Sequence, residues 1–153
     1  MIGGNYRRLK RFEDAISDFE RGRQYEEDGR FEVNSSYNLI NEIVLPIEEG
    51  MKTAADQRGK LQAAAAVLEQ QVRGGRRRDR WAWADLGECL LLLGDLERAR
   101  SAYDEFISLG DTDSIKSARA VLQRLCAVLV ESDGEAAVNV DSGLQQLERA
   151  TRG

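Results

Sequence analysis

Apolar residues return along this chain every three or four positions. Between Trp81 and Gly110, Trp83, Leu86, Leu90 and Leu93 stand at offsets 0, 3, 7 and 10, and Leu96, Ala99, Tyr103 and Phe106 repeat those offsets after Gly94-Asp95. That is the period of a helix face and not of a strand. The stretch predicts two amphipathic helices joined by a tight turn.

The same spacing predicts helices on either side. Phe12, Ala15, Phe19 and Gly22 repeat it within Met1–Gly29, where RFEDAISDFERG aligns without a gap on DLERARSAYDEF. Tyr37, Ile40, Val44 and Ile47 mark a helix from about Ser36 to Gly50, with a kink or stop expected at Pro46. Thr53–Arg73 reads as a helix with Leu61, Ala64, Ala65, Leu68 and Val72 inward, and Gly59 as an alternative start. Ser114–Glu131 carries Ile115, Ala118, Leu122, Leu125 and Leu129 on one stripe. Glu135–Ser142 has a poor helical pattern and reads as a loop, with Asp141 or Ser142 capping a last short helix. Arg73–Arg80, RGGRRRDR, breaks the periodicity and reads as an exposed, mobile basic connector. The fold class expected is all-α, an array of helical hairpins with about six or seven helices.

Composition narrows the function more than the fold. The 153 residues suit one domain, and 42% apolar with 32% charged residues is ordinary for a helical protein. Histidine is absent, which removes the commonest general base, the Ser-His and Cys-His pairs and the usual zinc ligands. No phosphate-binding glycine loop or nucleophile elbow occurs, so no enzyme activity, cofactor or metal is expected. The two cysteines, Cys89 and Cys126, lie in apolar helical patterns and read as small core residues. No apolar run is long enough to span a bilayer and no signal segment is visible, so a cytoplasmic location is the default expectation. A net charge of −5 disfavours nucleic acid as a general partner.

Trp83, Leu86-Gly87, Gly94, Leu96, Ala99 and Tyr103 together resemble a tetratricopeptide (TPR) repeat. In that pattern small residues at 87 and 99 let the two helices approach, and the aromatic residues fill the space around the contact. Leu90, Phe106 and Asp111 depart from the family's usual aromatic, alanine and proline. A half copy, with Tyr6, Phe12, Ala15 and Phe19 but Lys10 at the turn, precedes it, and Tyr37–Val44 matches loosely. The resemblance implies a TPR-like α-solenoid with degenerate repeats, residues 1–153 forming one domain that is a fragment of a longer protein. It also implies a non-catalytic scaffold or regulatory module that binds a partner protein or peptide.

Such arrays commonly bind peptides on the face lined by the first helix of each pair. The resemblance therefore points to Arg7, Arg8, Asn38, Glu42, Trp81, Ala84, Glu88 and Leu91 as candidate partner-binding residues. Trp81 and Trp83 are two apart and cannot share one helical stripe, so Trp81 is expected to be exposed or to face a neighbouring repeat. The rival readings are an anionic-ligand or nucleic-acid site at Arg73, Arg76, Arg77, Arg78 and Arg80, and a self-associating structural module.

Overall fold

In the computed structural model the described residues are 37–152, together with the helical positions Asp14, Ser17, Glu20 and Arg21. The side chains of Tyr37, Asn38 and Arg152 lie outside that description, as do Arg7, Arg8 and most of the half repeat at Phe12–Gly22.

Within residues 37–152 six helices follow one another: α1 (Tyr37–Glu48), α2 (Arg58–Arg73), α3 (Arg80–Leu93), α4 (Leu96–Leu109), α5 (Thr112–Ser132) and α6 (Gly134–Arg152). The described residues are helical with no strand, as the periodicity requires. Aspartates start the helices of the second half. Asp79 accepts from the Trp81 amide, Asp95 from that of Arg98, Asp111 from that of Ser114 and Asp133 from that of Ala136. Each satisfies an amide that has no partner within the helix. Gly94 ends α3 with φ of 81° and takes two carbonyls, those of Leu90 and Leu91, which turns the chain directly into α4. Pro46 lies inside α1, which ends two residues later at Glu48.

Helix α3 is the centre of the molecule. Residues Leu86 to Leu92 are all buried, so this helix is enclosed on every side and not along one stripe. α4 packs beside it, and Gly87 makes the close approach possible. A Cβ there would lie 2.6 Å from the ring of buried Tyr103. α2 packs on the other flank of α3, and α6 lies across both α3 and α4. α5 pairs with α6 and also reaches α1, which itself touches α2. The helices thus run round α3 from α1 through α2 to α6 and α5, and one apolar cluster joins them all.

Several sequence expectations are met and several are corrected. The inward stripes at Leu61–Val72 and Ile115–Leu129 are buried residue for residue. Leu96, expected in the α4 stripe, is 40% exposed, because it is the first helical residue and lies beyond the helix contact. Trp83 and Leu93 are half-buried at the ends of the α3 stripe. The expected loop at Glu135–Ser142 is helix: α6 begins at Gly134 and buries Ala136, Ala137, Val140 and Leu147. Its small residues make a weak sequence signal but suit close packing. Gly143 meets Leu91, whose Cδ1 would lie 2.5 Å from an added Cβ. Both cysteines are free; Cys89 is buried, but Cys126 is half-buried.

Candidate partner-binding groove

The connector between α2 and α3 is folded into hydrogen-bonded turns, with Arg73, Arg77 and Arg78 exposed. The amides of Gly74 and Arg76 donate to the Gln71 carbonyl at 3.1 and 2.9 Å, and that of Asp79 donates to the Arg76 carbonyl at 3.0 Å. Arg76, expected in the anion-binding set, is 5% exposed. Its Nη2 lies 2.8 Å from Asp79 Oδ2 and its Nη1 donates to Gln71 Oε1 at 2.7 Å. A guanidinium carries five donors in a rigid fork, so one side chain can tie both ends of the turn. Arg76 is therefore a structural clamp. Asp79 does two jobs, holding Arg76 with Oδ2 and capping α3 with Oδ1.

Trp83 completes the clamp from the other side. Its Nε1 donates to the Arg77 carbonyl at 2.8 Å. The bond pins the connector onto α3 and fixes the indole at the edge of an open groove of about 630 Å³. Val72 and Arg73 from the end of α2 line that groove with Arg77 and Arg78 from the connector. Trp83 of α3 and Glu105 and Leu109 of α4 complete it. Among the described residues, Arg73, Arg77 and Arg78 make no ion pair or side-chain hydrogen bond. Three positive charges without partners among the described residues thus share the lining with the apolar side chains of Val72, Trp83 and Leu109 and with one carboxylate, Glu105.

Arg80 stands apart from this set. It is half-buried, its Cζ lies 5.9 Å from the centre of the Trp81 ring, and its charge helps hold the Asp111 carboxyl below the usual range after the hydrogen bonds from Ser114. Trp81 itself is 40% exposed, as its spacing from Trp83 requires, with its ring centroid 5.8 Å from that of Phe106.

The residues proposed for a concave binding face are differently placed. Glu42, Ala84, Glu88 and Leu91 are all buried, Leu91 against Gly143 of α6. Glu42 is 2% exposed and its Oε1 lies 3.5 Å from Lys60 Nζ. Glu88 is 7% exposed, and its Oε1 has no hydrogen-bond partner. Burial first, then the charges of Asp85 and Glu48, push its carboxyl up to about 8, against a smaller opposing effect of Arg124 on α5. Glu88 is thus a largely neutral acid at pH 7. Among the described residues no group of acidic or cysteine side chains is placed to hold a metal ion, and no helix is long and apolar enough to cross a membrane. Arg7, Arg8 and the Asn38 side chain lie outside the described residues.

The sequence singled out the arginines as a block but not the division within it. The Asp79 three residues after Arg76 was the available signal, since that spacing permits both an ion pair and a helix cap. Nothing in the pattern assigned Trp83 to the connector.

Residues 82–113 match the tetratricopeptide repeat family. No curated protein and no solved structure matches the chain. The matched stretch is α3, the Gly94 turn, α4 and the start of α5, where Gly87 admits Tyr103 and Gly94 frees the turn. Over this stretch the hairpin is similar to a tetratricopeptide repeat, and with the described helices packed around it forms a TPR-like, all-α array.

Proposed function

We propose that this chain is a non-catalytic protein–protein interaction module that takes a partner segment into the groove between the arginine connector and the α3–α4 hairpin. Repeats of this family serve generally as protein-interaction modules. The observation that carries the reading is the pairing of a folded, tethered connector with three arginines that have no partner in the described chain. Rigid presentation lowers the ordering cost of binding. A cytoplasmic setting and a role as a scaffold or regulatory domain belong to the same reading.

Selection of a displayed peptide library on the immobilised protein tests it. The library holds acidic, neutral and basic peptides in equal share. Enriched peptides that protect the Trp83 amide region from hydrogen exchange support the proposal. No enrichment, together with sedimentation as a stable oligomer, overturns it in favour of a self-associating structural module.

A further inference from the structure

We infer that the groove's occupant is a short acidic peptide segment that also carries an apolar side chain. The inference rests on the interaction-module reading and adds the chemistry of the partner. Arg73, Arg77 and Arg78 supply the recognition of charge. Guanidinium forks bind carboxylates through two parallel N–H bonds, and these three have their donors unused among the described residues. The contrast with their neighbours is informative. Arg76 is committed to Asp79, and Arg98 pairs with Glu69 and Asp95. In a chain of net charge −5, with 27 acidic residues, three arginines of one groove that form no ion pair among the described residues are an unmet charge.

The apolar part of the lining supplies the second element. Trp83 has spent its N–H on the Arg77 carbonyl, so its ring offers the groove an apolar surface and no donor. Val72 and Leu109 extend that surface. An apolar side chain of the partner can be buried there while its carboxylates meet the guanidiniums that line the same groove.

A nucleic acid fits less well. The groove's volume is that of a pocket for a small ligand, and the acidic remainder of the molecule repels a long polyanion.

The test is a titration of the full chain carrying Trp81→Phe, so that Trp83 is the reporting tryptophan. The probes are a Glu-Asp-Leu-Asp-Glu peptide, its Lys-for-acid counterpart, a serine-for-acid counterpart and a single-stranded oligonucleotide. The acidic peptide is expected to shift Trp83 emission with saturation, and to bind more weakly as salt rises. Replacing Arg73, Arg77 and Arg78 together with Gln should weaken it about ten- to hundredfold with unchanged circular dichroism. Acidic-peptide binding that is equal in the Gln variant, or absent at low salt, overturns the inference, as does tighter binding of the oligonucleotide. Saturable binding of the serine or lysine peptide in place of the acidic one overturns this inference while leaving the interaction-module reading standing. Failure of every peptide in both assays removes both.

Discussion

Replacing Glu88 with Gln should stabilise the protein, and by more as the pH rises. The carboxyl titrates near its ordinary value of 4.5 when the chain is unfolded and near 8 when it is folded. Between those values folding takes up a proton, so stability falls as the pH rises, and above 8 the full penalty of a buried, unpartnered charge is present. Each pH step across that window is worth at most about 1.4 kcal/mol. The penalty therefore grows to about 3 kcal/mol at pH 7 and approaches about 5 kcal/mol above pH 8, as upper bounds that water entry around the charge would reduce. Gln has nearly the same shape and cannot ionise. Below pH 4.5 both proteins hold a neutral side chain, and their stabilities should agree within about 1 kcal/mol. Urea unfolding followed by circular dichroism at intervals from pH 4.5 to 8.5 measures the difference, in which the other titrating groups largely cancel. A gap that opens with pH is the expected result. A gap constant with pH would mean that Glu88 is solvated or paired in the folded state, and a Gln variant less stable at pH 8 would refute the buried-acid account outright. Glu88→Leu serves as the second variant, because it removes the orphaned oxygen as well as the charge.

The other expectations concern packing and the connector. Gly87→Ala should cost about 1–3 kcal/mol in thermal or urea unfolding, because the new methyl meets the enclosed ring of Tyr103. Arg76→Gln should lower stability by about 2–3 kcal/mol and speed hydrogen exchange across residues 74–79, since it frees Asp79 and Gln71 inside the turn. Arg78→Gln, at an exposed position with no partner among the described residues, should stay within about 0.5 kcal/mol of wild type. Val138→Pro tests the first turns of α6: Val138 is exposed, so a loss of about 3 kcal/mol would come from the helix backbone and not from packing. A near-native melting temperature for that variant would restore the loop expected from sequence.

The hairpin was legible because its information is local. Gly87, Gly94, Ala99 and Tyr103 each answer a requirement of two adjacent helices, and the spacing between them is fixed by the helix itself. Leu61–Val72 and Ile115–Leu129 were legible for the same reason, as single faces against one core. The start of α6 was not, since Gly134, Ala136, Ala137 and Asn139 carry little apolar moment and Gly143 counts against a helix. These residues are small because α6 lies across α3 and α4, a contact that appears in no local pattern. Glu42 and Glu88 misled in the opposite direction. Charged residues on a helix ordinarily mark its solvent face, and here both are buried. One hint was available in α3: the run Cys89–Leu93 is apolar without interruption, which suits a helix covered all round and not one with a free face. Among the arginines, charge alone could not separate Arg76 from Arg77 and Arg78, because the separation comes from which side chain turns back toward Gln71.

The covering of α3 decides where recognition can occur. An open array presents its first helices to a ligand, and in such an array Glu42, Ala84, Glu88 and Leu91 would be contact residues. Here Leu91 is sealed by Gly143 of α6, and Glu88 lies near Glu48 of α1 and Arg124 of α5. Displacing those helices to admit a peptide would expose the apolar cluster that joins them, at a cost of about 25 cal/mol for every Å² of apolar surface returned to water. A partner gains nothing comparable by entering there. At the connector no helix need move, because Arg76, Asp79 and the Trp83 indole already hold the groove open and hold its shape. Burial of those four residues thus counts against the concave-face reading, whereas the proposed arginine groove is open without the movement of any helix.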